Sequence, residues 1–323
     1  MFIFNKIRLI VENVLDKTQS VWYYKINKTD YQSKTPPSKK EIIMGHYTYN
    51  PKKFYLIVFA LTWGFWIAAI LLKDTPLMFV LMLLGLISPA VTAMVTVLAS
   101  GNKMLKDDLK RKLVGFYHLK PLYIILAIVV FAAIVLASIG TSVLFGGSPD
   151  QLSFTEDFSF SISGTSALLT IFLASTLEEL GWRGYGEDAV GSYHNWFTES
   201  IIFGCIWACW HLPLFWVPGT YHYGLREMGI FYMLNFLIST IPFDFIQTWV
   251  YVKNRRSMLA TIIFHLFVNI MQEKIAMTPE TKCIETIFVF IAAVVIVLTN
   301  KKMFFETDHV GRLLEYQTED EGR

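Results

Sequence analysis

Residues 121–145, PLYIILAIVVFAAIVLASIGTSVLF, run for 25 positions without one charged side chain. A helix rises 1.5 Å per residue, so about 20 such residues cross a hydrocarbon layer of ~30 Å. The run reads as a transmembrane helix. Seven more apolar segments surround it, at roughly 54–72, 77–99, 162–182, 199–217, 229–251, 258–277 and 284–300. Helices satisfy their own backbone polar groups in lipid, segment by segment. The expected fold is therefore all-α, a polytopic membrane protein with a bundle of about eight transmembrane helices. Composition agrees: 54% of the 323 residues are hydrophobic and only 17% charged, with a mean hydropathy of +0.45. A soluble enzyme would carry about a quarter charged residues.

The charges that remain orient the bundle. With the N-terminus inside, 24 of the 28 Lys and Arg fall in inside loops or ends, against four outside, Lys73, Arg226, Lys274 and Lys282. Basic residues mark the cytoplasmic side, so both termini are expected there. Residues 1–53 form a basic, polar arm that can lie on the membrane surface. Its start, MFIFNKIRLIVENVL, is interrupted by Lys6, Arg8 and Glu12 before a signal-peptide core can form. Three helices over 54–145 precede a core over 160–300, and 301–323 is a cytoplasmic tail. The net charge of +2 and the lack of interleaved basic and aromatic residues argue against nucleic acid. Cys205, Cys209 and Cys283 are odd in number and sit among apolar residues, so no disulfide framework is implied.

Within the apolar segments the ionisable residues are few and grouped. A charge at mid-membrane costs at least ~2.5–3.5 kcal/mol, which makes each one a functional candidate. The fourth segment ends in L-E-E-L-G-W-R-G-Y, with Glu178, Glu179 and Arg183; the fifth holds His211; the seventh holds His265 and Asn269. Residues four apart share a helix face, so Glu179 can pair with Arg183 and His265 lies beside Asn269. Glu178 is rotated by about 100° from Glu179 and faces other neighbours. This set suits amide hydrolysis in a water-poor site: Glu178 to take a proton from water, His211 to share that water or protonate the leaving amine, and His265 with Asn269 to donate to the oxyanion. All four should line one cytoplasm-facing cavity. With the fourth helix ending near 182, His211 would lie about eight residues deeper than Glu178, so that helix must be bent or extended, or the segment boundaries shift by a turn.

These residues resemble the CAAX protease and bacteriocin-processing (CPBP; Abi/Rce1-like) family of intramembrane proteases. The E-E-x-x-x-R motif stands as Glu178, Glu179 and Arg183, and H-x-x-x-N as His265 and Asn269. In F-x-x-x-H the histidine is His211, while Trp207 replaces the Phe, a departure that bears on packing more than on catalysis. The resemblance covers about residues 160–275. It implies an endopeptidase acting on a membrane-associated or lipidated, CAAX-like protein or peptide in a prokaryotic plasma membrane. It also implies that Glu178 and His211 activate water, His265 and Asn269 form an oxyanion hole, and Glu179 and Arg183 support them. Such a substrate would need a lateral opening between helices. The family is often labelled metalloprotease. Glu178, His211 and His265 could supply three zinc ligands, but no H-E-x-x-H helix is present, so metal-free and zinc mechanisms both stay open.

Two other functions compete: a non-catalytic scaffold or bacteriocin-immunity protein of the same fold, and a secondary transporter, against which stands the lack of an evident repeat or paired broken helices. Asp244 matches no motif and reads as a structural partner for a backbone group freed by Pro242. Lys103, Lys106 and the run Lys110-Arg111-Lys112 read as contacts to anionic lipid. His46, His118, His194, His222 and His309 fall in loops and receive no role.

Overall fold

A computed structural model describes residues 47–116, 119–155 and 167–315. Expectations for the arm before Tyr47, including His46, and for His118 lie outside these residues. The chain is a helical membrane protein. Among the described residues five helices are long and apolar enough to cross a bilayer: α1 (Pro51–Leu71), α2 (Leu77–Ala99), α4 (Pro121–Leu144), α9 (Ile230–Lys253) and α11 (Pro279–Thr299). Between them lie α3 (Lys103–Val114), α5 (Ala167–Gly181), α6 (Glu187–Gly191), α7 (Trp196–Trp210), α8 (Tyr221–Met228) and α10 (Met258–Lys274), and α12 (Lys301–Phe305) follows.

All eight expected segments contain helix, but the three that carry the polar motifs are not plain spans. The segment expected to end at 182 continues through a π-helical turn, Trp182–Gly186, into α6. The result is one helical column to Gly191, about ten residues longer than the sequence suggests. The fifth segment begins earlier, at Trp196, and its α-helix stops at Trp210. His211 caps it, Pro213 follows in a 3-10 turn over Leu212–Trp216, and the chain bends by 79° into α8. Proline lacks a backbone donor and clashes with the preceding turn, so a break there is the expected cost. The shift at both ends answers the depth problem: Glu178 and His211 each lie ~20 Å along their helices from the 192–195 turn that joins them.

Local chemistry sets the other boundaries. Asn50 caps α1 by accepting from the Lys53 N–H at 2.9 Å, with Pro51 at the first helical position. Asn195 caps α7 in the same way through Thr198 N–H at 2.9 Å. Such caps satisfy donors that a helix start leaves orphaned. Two glycines allow close crossings beside the site. A Cβ at Gly181 would overlap Pro89 of α2, and one at Gly204 of α7 would come within 2.9 Å of the Ile241 Cα of α9.

The end of the bundle bearing the basic loops is tied by buried ion pairs. Lys112 reaches Asp188 at 2.7 Å and also donates to the carbonyls of Arg183 and Gly184. Arg256 reaches both Asp108 and Asp188 at 2.6 Å. These pairs over-determine the α9–α10 turn, where Arg255 and Arg256 adopt φ of 54° and 60°, a region costly for residues with a Cβ. The lipid-contact expectation is therefore corrected for Lys112, which is 1% exposed, and for Arg111, which bonds Asp108 and the Arg255 carbonyl. Burial alone would raise the Asp108 and Asp188 carboxyls, but the cations around them hold both below the ordinary range. The described ends of the chain meet here as well: Tyr47 pairs with Tyr185, and the Gly311 N–H reaches the Ser192 carbonyl.

Candidate active site

A cavity of about 310 Å³ runs inside the bundle, and Glu178, His211, His265 and Asn269 all line it. They come from three elements far apart in sequence. Adjacent positions on α5 separate the two glutamates as helical geometry requires: Glu178 faces the cavity, while Glu179 is fully buried behind it.

Each of these four groups is held by a hydrogen bond. Glu178 Oε2 accepts from the Trp207 indole Nε1–H at 3.1 Å. His211 Nδ1 lies 2.8 Å from the Trp207 carbonyl oxygen. A carbonyl can only accept, so Nδ1 carries the hydrogen and Nε2 of the neutral ring is a free acceptor. His265 Nδ1 lies 2.8 Å from Glu179 Oε1, which likewise directs a hydrogen onto Nδ1 and leaves Nε2 for the cavity. Asn269 Nδ2 donates to Ser175 Oγ at 3.0 Å, and that hydroxyl donates to the Ile171 carbonyl.

Behind this layer Arg183 is fully buried among three carboxylates. It pairs with Glu179 at 3.3 Å, Glu187 at 2.6 Å and Asp244 at 2.9 Å. Asp244 is structural, but its partners are Arg183 and Thr248, not a backbone group freed by Pro242. It anchors α9 to the α5 column. Gln247, one turn further on, donates to Glu179 at 3.5 Å. Arg183 thus orients Glu179, and Glu179 orients His265.

The cavity and the basic loops lie at opposite ends of the bundle. Its lining comes from the first half of α2 (Met82, Leu86), the start of α9 (Tyr232, Asn235), the end of α10 (Gln272, Glu273) and the start of α11 (Lys282, Glu285). The other ends of α2, α9 and α10 adjoin Lys103–Lys112 and Arg255–Arg256. A cavity facing the same side as the basic loops is therefore corrected. The error came from ending the fourth helix at 182, which put Glu178 at the basic end instead of mid-column.

Sequence reasoning passed over His222. It sits at the start of α8, lines the cavity, and lies over the His211 ring at 5.3 Å and 22°. Its Nε2 is buried without a partner. No periodic pattern marked it, because α8 has only eight residues after a bend. Its one local signal was Thr220, whose hydroxyl caps the helix.

Among the described residues no three His, Cys, Asp or Glu side chains are grouped as a three-ligand metal centre requires.

Two comparisons bear on this arrangement. Residues 161–271, which carry every lining motif residue named above, match the family described as type II CAAX prenyl endopeptidase Rce1-like. CAAX prenyl protease 2 of Methanococcus maripaludis is 38% identical over 268 residues, covering 82% of this chain and 99% of that protein.

Proposed function

The chain belongs to the Rce1-like type II CAAX prenyl endopeptidase family, and from that premise we propose that it hydrolyses a peptide bond of a lipidated, CAAX-like protein or peptide within the membrane. Water held between the free oxygen of Glu178 and Nε2 of His211 loses a proton to this pair and attacks the scissile carbonyl. His265, held as the imidazolium with Nδ1–H donating to Glu179, donates its Nε2–H to the oxyanion, together with the remaining amide hydrogen of Asn269. The proton taken from water passes to the leaving amine, and the C–N bond breaks. Glu179 and Arg183 hold His265 in register. These donors act where water is scarce, which strengthens them relative to bulk solvent.

One observation supports the reading: Glu178, His211, His265 and Asn269 line one cavity, and each is held there by a hydrogen bond that leaves further donor or acceptor capacity unused. A zinc-dependent route through Glu178, His211 and His265 is the competing mechanism within the same reading. Purified protein treated with a chelator should keep its peptidase activity, and loss restored by zinc would favour the metal route.

The protein is integral to the membrane, and its proposed location is a prokaryotic plasma membrane with cytoplasmic termini, from the loop charges. The cavity then lies in the outer half of the bilayer. Cysteines placed at Arg255 and Lys282 test this: an impermeant thiol reagent added to intact cells should label Lys282→Cys and spare Arg255→Cys. The reverse pattern would invert the bundle and bring the cavity to the cytoplasmic leaflet.

A further inference from the structure

Trp207 occupies the one place in the second motif where this chain departs from the family it resembles, and it makes contacts that phenylalanine cannot. Its indole Nε1–H donates to Glu178 Oε2 at 3.1 Å, while its carbonyl accepts from His211 Nδ1 at 2.8 Å. The ring is 5% exposed. It is held between Phe203 and Phe243, with centroids at 6.4 and 5.8 Å, and meets the His265 ring edge-on at 5.7 Å.

We propose that Trp207 is a positioning residue that sets the spacing of the water-activating pair, its indole fixing the Glu178 carboxylate and its backbone fixing the tautomer of His211. This rests on the endopeptidase reading above. A carboxylate on an α-helix has two χ torsions and a broad terminal one. The Trp207 N–H bond occupies Oε2 and leaves Oε1 for the water. A hydrogen bond to an ionised group is stronger than a neutral one, so its loss should be felt in the reaction. The carbonyl tether is backbone and survives any substitution in the helix. Replacement of the side chain therefore removes only the hold on Glu178.

The test uses the full chain reconstituted in liposomes with a lipidated peptide substrate. Trp207→Phe keeps an aromatic ring, and incorporation of benzothienylalanine at 207 keeps the ring's shape while replacing N–H with sulfur. Both should lower kcat about tenfold and leave KM unchanged, because the substrate still finds the same walls. A packing role alone would leave the benzothienyl protein at the wild-type rate. A second readout needs no activity: the Trp207 indole resonance, assigned by its absence in Trp207→Phe, should move when Glu178 is replaced by Ala. A wild-type kcat in both ring variants, or an indole resonance indifferent to Glu178, overturns the proposal. Wild-type cleavage by Glu178→Ala is a separate result that overturns the water-activating role of Glu178, and absence of cleavage by the wild-type chain overturns the endopeptidase reading itself.

Discussion

The two ends of the bundle use the same kinds of residue to opposite effect. At the basic end, Asp108, Lys112, Asp188 and Arg256 bond one another in a closed set of ion pairs. At the cavity end, Glu178, His211 and His265 each give one polar atom to the protein and keep another for the cavity. A buried charge does not by itself mark function. What separates chemistry from structure here is the unused atom beside a space large enough for a substrate.

That contrast can be broken from either side. The largest effect should come from the cavity end: Glu178→Ala or His211→Ala should lower kcat by about a thousandfold or more, with thermal stability nearly unchanged. At the other end Lys112→Ala or Asp188→Ala removes one member of a buried network whose remaining charges keep a second partner, so the stability lost should stay below the ~3–5 kcal/mol of a charge left wholly unpaired. A thermal melt should show the loss, while activity per folded molecule at low temperature stays close to wild type. If these variants instead abolished activity without changing the melt, the division between the two ends would be wrong.

Acid should act on the closed end in the same direction. Asp108 and Asp188 have folded-state values below the ordinary one, so their contribution is complete above pH ~4 and is lost as pH falls through the depressed values. The melting temperature should fall below about pH 4. Asp108→Asn, less stable at neutral pH, should show a flatter acid dependence. Smallest of all is Lys103→Ala. That residue pairs with Asp107 in the open, at 89% and 60% side-chain exposure, and its removal should leave melting and turnover unchanged.

Much of this was legible in the sequence because the signals are local. Apolar runs of membrane length set the helices, and i, i+4 spacing put Arg183 within reach of both Glu179 and Glu187, although only the first pairing was sought. What escaped depends on how helices end and cross. Trp182-Arg-Gly-Tyr-Gly186 reads as the edge of a helix because it carries a charge and two glycines, yet the π turn continues the column and buries Arg183. Lys112 read as a lipid-contacting cation because its partner, Asp188, lies 76 residues away. Trp207 looked like a wall residue because composition cannot say where an indole N–H points. His222 lay in a short element without periodicity. The resemblance supplied roles for six residues, while the geometry added the contacts of Trp207 and Asp244 that no motif contains.

Cleavage of a lipidated CAAX-type peptide by the purified, reconstituted protein, compared with Glu178→Ala prepared identically and shown to melt at the same temperature, bears most directly on the central claim. The expected result is product release by the wild type and none above background by the variant. Equal cleavage by both proteins would contradict it.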